Sequence, residues 1–193
     1  MNKEKILEAA AQIISEKGYH AASMRDIAQA VHLQKPSLYH HISSKQEILF
    51  VLLNQALDML IQRIEEIVSK PLAPEVKLRL AMETYIQSLI DKRDLAAVLL
   101  MEHRSLNPEL NAKHIPKRDR FEQLWRDMIE EGVNCGVFSC RDVSLAAKAV
   151  LGMMNWSITW VRSNGRLSPI EIADQFADLI LTGLVARSES LNQ

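Results

Sequence analysis

The stretch from Ser23 to Glu47, SMRDIAQAVHLQKPSLYHHISSKQE, constrains the fold more than any other part of this chain. Ser23 precedes Asp26 by three residues, the spacing at which an N-cap hydroxyl and an acidic side chain satisfy each other's backbone N–H groups. A short helix over about Met24–Val31 is therefore expected, with Ile27, Ala28 and Val31 facing inward. His32-Leu33-Gln34 is a tight turn, and a second short helix begins near Lys35, with Pro36 in the first turn, where its missing N–H costs nothing. Leu38 and Ile42, four apart, give this helix its inner face. Ser44 with Glu47 repeats the capping pattern and opens a long helix to about Lys70. Upstream, Ile6, Leu7, Ala10, Ile13 and Ile14 recur at helical spacing over about Lys3–Lys17, and Gly18 ends that segment. Two short helices joined by a three-residue turn and packed on a third form a helix-turn-helix.

The rest of the chain is predicted to be helical as well. Only 6 Gly and 6 Pro occur in 193 residues, fewer turn residues than a sheet-rich fold uses. Pro71 and Pro74 end the long helix. Further helices are expected over about 74–92, 94–105, a short piece from Asn107-Pro108 broken by Pro116, a longer one to about Asn134, and one over about 142–162. Ser163-Asn164-Gly165 turns the chain, and Ser168-Pro169-Ile170-Glu171 opens the last helix. The expected architecture is all-α with about nine helices. Residues 1–45 are expected to form the helix-turn-helix domain, 46–70 a connector helix, and 71–193 a further helical bundle.

Several function classes are disfavoured. The formal net charge is −1, so any basic surface is local. Cys135 and Cys140 have no second pair to complete a zinc site, so no metal and no cofactor are expected. Glu4, Glu8 and Glu16 interrupt the N-terminal segment, which rules against a signal peptide, and no apolar run reaches about 18 residues. A cytoplasmic protein without a membrane partner is expected. Three histidines fall in HLQKPSLYHH, yet the adjacent His40 and His41 diverge on a helix and cannot converge on one ion.

The outward positions of the second short helix are polar: Gln34, Lys35, Ser37, Tyr39, His40 and His41. In a helix-turn-helix this helix enters the major groove, its first residues at the bases. Lys45 stands at the start of the next helix, where free amides and the dipole favour phosphate. The residues I-A-x-x-A, S-L-Y-H-H and S-K-x-E-I-L, within about 3–50, resemble the DNA-binding signature of the TetR family of transcriptional regulators. The resemblance implies an all-helical homodimer that binds operator DNA and a small hydrophobic effector. It assigns Ser23, Tyr39, His40, His41 and Lys45 to phosphate, and Gln34, Lys35, Pro36 and Ser37 to the start of the recognition helix. His32 replaces the usual Gly, Gln34 the usual Ser or Thr, Pro36 a frequent Gly, and Ile42 the usual Phe.

Bundle cores hold small molecules between facing helices. The candidate effector lining is Tyr85, Leu89, His103, Arg104, Phe121, Trp125, Met128, Met153, Trp156, Trp160 and Arg162. The pattern N-W-x-x-x-W-x-R-x-x-G-x-L-S-P, from Asn155, resembles the tail of TetR-type regulators that sense acyl-CoA thioesters. That resemblance implies such an effector, with Arg104, Arg162 and Arg166 as cations for its phosphates. Apolar positions Ala146, Ala149, Val150 and Met153, with Ile172, Phe176, Leu179, Ile180 and Leu184, offer surface for a twofold dimer. The expected function is a repressor released from its operator by effector. Two alternatives stand beside it: a regulator controlled by a protein partner, and a small helical enzyme using Glu102 and His103.

Overall fold

The structure, a computed structural model, describes residues 3–162 and 165–184. Among these residues nine α-helices follow in order: α1 (Lys3–Lys17), α2 (Met24–Ala30), α3 (Lys35–Tyr39), α4 (Lys45–Val68), α5 (Pro74–Asp91), α6 (Arg93–Glu102), α7 (Pro108–Asn134), α8 (Val143–Trp160) and α9 (Pro169–Leu184). A 3₁₀ turn, His103–Ser105, separates α6 from α7. No strand occurs among the described residues, and none of the helices is long and apolar enough to cross a membrane. Ser163 and Asn164 of the expected turn lie outside the described residues.

Local chemistry sets the helix ends. At α2 the Asp26 amide donates to Ser23 Oγ at 3.1 Å, and the Ser23 amide donates to Asp26 Oδ2 at 2.9 Å. The same reciprocal pair opens α9 between Ser168 and Glu171. At α4 it is displaced by one residue. The Glu47 amide donates to Ser44 Oγ as expected, but the Glu47 carboxylate accepts from the amide and hydroxyl of Ser43. Those bonds hold the Glu47 carboxyl below its ordinary pKa.

Two helices depart from the expected boundaries: α3 ends at Tyr39, so His40, His41 and Ile42 follow it, and α7 runs through Pro116. Pro116 does not break the chain into a short piece and a longer helix; it lies inside α7. An interior proline costs roughly 3 kcal/mol through one lost hydrogen bond and a ring clash. The residues flanking it are anchored in the first unit. His114 is buried on one side of Pro116, and Lys117 pairs with Asp58 at 2.7 Å on the other. Asn107 caps α7 through its Oδ1, which accepts from the Leu110 amide, so the expected short piece is its first turns.

The helices group into two compact units. The first holds the chain up to Met59 together with Asp91–Asp119; the second holds Leu60–Ile90 and the chain from Arg120 onward. Both α4 and α7 contribute residues to each. In the first unit, Ile6, Ala10 and Ile14 of α1 meet the apolar faces of α2 and α6, and Ser15 donates to Asp94 across α1 and α6. Ile27, Leu38, Ile42, Ile48 and Leu49 complete this core. In the second unit, α5 is tied to α7 by buried Lys77, which donates to both oxygens of Glu131, and to α9 by Arg79, paired with Asp174 and Asp178.

The turn between α2 and α3 is made by His32, at φ +55°, the sole non-glycine with positive φ among the described residues. The Leu33 amide reaches back to the Ala28 carbonyl at 2.8 Å and fixes the turn. A left-handed non-glycine backbone is strained by about 1 kcal/mol. His32→Gly removes that strain and should raise the urea midpoint, by up to about 1 kcal/mol of stability, less the entropy a glycine gains in the unfolded chain.

Candidate nucleic-acid interface and effector site

Burial of Leu38 and Ile42 fixes the rotation of α3 about its axis. Gln34, Lys35, Pro36, Tyr39, His40 and His41 are consequently exposed, and Ser37 is half-buried. Tyr39 keeps 44% of its surface open, unusual for a large aromatic side chain. Gln34 is the N-cap of α3 but makes no capping bond with its side chain, which is exposed. A planar amide of this kind pairs with an adenine edge, and a neighbouring ammonium suits guanine or phosphate. The expected outward positions are thus exposed, apart from half-buried Ser37.

Ser23 and Lys45 have other engagements as well. The Ser23 hydroxyl donates to Asp26 Oδ2 at 2.6 Å within the capping box. Lys45 Nζ donates to the carbonyls of Tyr19 at 2.8 Å and Ala22 at 2.7 Å, and lies 4.3 Å from the centre of the Tyr19 ring. One ammonium N–H remains.

Gln46 was missed by the sequence pattern, yet it joins three segments. Its Nε2 donates to Tyr19 Oη at 2.8 Å and to the Ser105 carbonyl at 2.9 Å, and its Oε1 accepts from the Asn107 amide at 2.9 Å. Glu102 reinforces the junction. One of its oxygens accepts from the Tyr19 amide and the other from the Ser105 hydroxyl. The start of α4, the α1–α2 loop and the α6–α7 corner are therefore pinned together. Glu102, the carboxylate an enzymatic mechanism would use, is occupied in this framework.

His103 and Arg104 of the effector set lie on the 3₁₀ turn of the first unit, His103 half-buried and Arg104 exposed. The other members belong to the second unit. Tyr85, Leu89, Trp125 and Met128 are fully or almost fully buried, Phe121 is buried, and Met153 is half-buried. Tyr85 of α5 and Phe121 and Trp125 of α7 form a ring cluster with centroids 5.6, 5.7 and 6.2 Å apart. Tyr85 Oη donates to Asn155 Oδ1 at 2.6 Å, and burial keeps the phenol neutral far above neutral pH. Trp160 and Arg162 instead line a cavity of about 380 Å³ at the α8–α9 end, with Arg166, Phe176 and Leu179. Trp160 meets the Phe176 ring edge-on at 6.2 Å. Trp156 is 66% exposed and lines neither group.

His114 escaped the sequence pattern too. It is 2% exposed, and its Nδ1 lies 3.4 Å from Asn54 Oδ1. Asn54 Nδ2 donates to the Phe50 carbonyl, so its oxygen faces the imidazole and Nδ1 must carry the proton. The Nε2 lone pair is left without a partner. Burial first, then Arg118, His103 and Lys117, hold its pKa below the ordinary 6.5. His103 is depressed likewise, by burial and then by Arg104. No group of three or more metal-ligating side chains occurs among the described residues, and both cysteines are free.

A small capped helical module with an outward polar recognition helix, followed by a larger helical bundle, defines a DNA-binding regulator of the helix-turn-helix class. Residues 6–52 match the family of bacterial regulatory proteins, tetR family, and residues 71–184 match the tetracyclin repressor-like C-terminal domain. The chain belongs to the TetR family, whose members are regulators and not enzymes. It is 28% identical over 186 residues to the HTH-type transcriptional repressor KstR2 of Rhodococcus jostii, covering 95% of this chain and 91% of that protein. The crystal structure of the TetR family regulator PfmR from Thermus thermophilus superposes with a TM-score of 0.85 at 41% identity, over 92% of this chain and 97% of that one. AibR, solved in complex with isovaleryl coenzyme A and operator DNA, superposes with a TM-score of 0.82 at 28% identity, over 95% of this chain and 97% of that one.

The depressed histidines carry a pH consequence. Below about pH 6.5 the unfolded chain takes up protons at His103 and His114 that the folded chain refuses, so stability falls as pH drops through and below that value. The urea midpoint should decline between pH 7 and pH 5, and the decline should be shallower in His114→Gln. Equal slopes in the two proteins would exclude His114 as a source.

Proposed function

We propose that the chain is a dimeric transcriptional repressor that leaves its operator when an acyl-CoA thioester binds. The polar outer row of α3, held outward by buried Leu38 and Ile42, carries the DNA-binding part of this reading. In it, Gln34, Lys35, Pro36 and Ser37 meet the base edges, while Tyr39, His40 and His41 meet phosphate. The spare N–H of Lys45 and the oxygen of Ser23 add phosphate contacts from the rim. Residues 1–45 read DNA, 46–70 connect, and 71–193 hold effector and partner, in the cytoplasm where the operator lies.

Two features support the effector. The cavity at the α8–α9 end combines apolar walls with two guanidinium groups, Arg162 and Arg166, as a fatty chain with phosphates needs. AibR, similar over nearly its whole length, was solved with a coenzyme A thioester. Tyr85, Leu89, Phe121, Trp125, Met128 and Met153 supply further apolar surface, with His103, Arg104, Trp156 and Trp160 as the remaining candidates.

The dimer reading rests on an uncovered apolar stripe. Leu145 and Trp156 of α8 and Ile170 and Leu179 of α9 are more than half exposed. Ala149 and Gly152 lie between the first two on α8, and nothing approaches within 4 Å of a Cβ built at Gly152. Val150, Ile172 and Leu184 of the expected face turn into the chain's own core. A partner helix on the stripe would bring two recognition helices to two half-sites.

The effector acts only through differential affinity for the DNA-competent and released states. The Gln46 junction offers a route, because displacement of the α6–α7 corner pulls on the start of α4 and on Tyr19 together.

In band-shift titrations with the chain's own promoter region, Lys35→Ala and Tyr39→Phe should each weaken binding about tenfold, and Lys35→Ala should flatten the salt dependence by about 0.9 if the ammonium meets phosphate. Operator affinity unchanged in both variants would sink the assignment of α3. Gln46→Ala should leave DNA binding within a fewfold of wild type and blunt release by acyl-CoA. Leu179→Arg should shift the protein to monomer in light scattering.

A further inference from the structure

The indole N–H of Trp125 has no hydrogen-bond partner, although the side chain is 0% exposed. Buried donors in folded proteins are almost always paired, and an unpaired one costs about 1–3 kcal/mol. The polar groups of the surrounding cluster do not relieve it. Asn155 Oδ1 already accepts from Tyr85 Oη at 2.6 Å, and the other two members of the cluster present rings.

We propose that Trp125 Nε1–H is the donor that holds a neutral carbonyl oxygen of the effector, so that this site selects a thioester over both a free fatty acid and a saturated thioether. An indole offers one donor and no acceptor, so its partner must be an acceptor. The charge of that acceptor follows from the cations nearby in the fold. Lys77 and Arg79 of α5 are paired with Glu131 and with Asp174 and Asp178. On the second-unit stretch of α7, Arg120 pairs with Glu65 and Arg126 with Glu122; Lys148 of α8 also faces Glu122. Each of these cations has a carboxylate partner, while Arg126 Nε itself is buried without a hydrogen-bond partner, and Arg63 of α4 donates to Ser88 Oγ of α5 at 2.6 Å. A carboxylate brought to Trp125 would add a second buried negative charge beside a guanidinium, Arg126, that Glu122 already neutralises, which is unfavourable. A carbonyl oxygen needs only the N–H that is available. The neighbouring Tyr85 stays protonated and committed to Asn155, so it places no negative charge beside that oxygen.

The proposal rests on the acyl-CoA reading, and its test separates the two. Calorimetric titrations would compare wild type and Trp125→Phe against hexanoyl-CoA and S-hexyl-CoA, which lacks only the carbonyl oxygen. Hexanoic acid serves as the third probe. Wild type should bind the thioester about tenfold or more tightly than the thioether, and should not bind the free acid measurably. In Trp125→Phe the preference for thioester over thioether should vanish. A fold-independent readout is available in the wild type. The Trp125 indole N–H should be the slowest of three to exchange with solvent, since Trp156 and Trp160 are exposed. Its proton resonance should move downfield with hexanoyl-CoA and stay in place with S-hexyl-CoA. Equal affinity of wild type for thioester and thioether, a preference that survives in Trp125→Phe, or an unmoved indole resonance overturns the role of Trp125 and leaves the acyl-CoA reading standing. Wild type that binds neither coenzyme A derivative overturns that reading, and the role of Trp125 falls with it.

Discussion

The ammonium of Lys45, held by the carbonyls of Tyr19 and Ala22 and by the face of the Tyr19 ring, ties the start of α4 to the loop that precedes the helix-turn-helix. Much of the first unit depends on that tie. The loop contains the end of α1, where Gly18 takes φ +81°, and the cap of α2 at Ser23. Its carbonyls would otherwise lack donors, and partly buried carbonyls without donors are costly. Charge-assisted bonds of this kind are roughly twice as strong as neutral ones. With the loop fixed, Ser23 starts α2 at a defined place. The Ala28–Leu33 turn then starts α3, and the burial of Leu38 decides which side chains point outward.

Gln46, the next residue, carries the constraint further. A glutamine side chain has one acceptor oxygen and two donor hydrogens, and here it meets a phenol, a backbone carbonyl and a backbone amide. Loss of any one contact leaves the others strained, so the junction behaves as a unit. This gives a physical form to the coupling that a ligand-controlled regulator requires. The corner between α6 and α7 cannot move while Tyr19 and α4 stay in place unless at least one of these bonds breaks.

The fold was legible where a residue's role is set by its near neighbours in sequence. The caps at Ser23 and Ser168, the inner faces of α2 and α3, and the end of α1 at Gly18 all follow from spacings of three or four residues. The outward positions around α3 followed from the inward spacing of Leu38 and Ile42, and the family signature added their expected contacts with DNA. Roles set by distant partners were not legible. Lys45 reads as a surface cation until Tyr19 and Ala22 are known to lie beside it, and Gln46 reads as an ordinary helix residue. Pro116 reads as a helix breaker because local rules ignore what Asp58 and Asn54 contribute to holding α7 together. The effector set was legible as a list of aromatic and basic residues but not as a place. Trp160 and Arg162 share a cavity, Tyr85, Phe121 and Trp125 share a core, and Trp156 looks outward.

The costs of this fold include the left-handed backbone of His32, the unpaired lone pair of His114 and the unpaired N–H of Trp125, beside Arg126 Nε and Ser157 Oγ, which are also buried without a partner. A sequence shaped for stability alone would place Gly at 32 and apolar residues at 114 and 125, and would gain stability at each. These costs fall on elements that a regulator must move or use. His32 sets the angle at which the recognition helix leaves the core. His114 sits on α7 against Asn54 of α4, so any relative movement of these two helices changes the surroundings of its imidazole. Trp125 lies in the aromatic core of the second unit, among the residues matched to the tetracyclin repressor-like C-terminal domain. An acceptor that satisfies Trp125 removes a penalty only from the state able to receive it. Differential affinity of that kind, worth about 1–3 kcal/mol, is of the size that couples two sites in a protein. An unpaired donor in the core thus reserves free energy for the ligand, which a fully satisfied core could not supply.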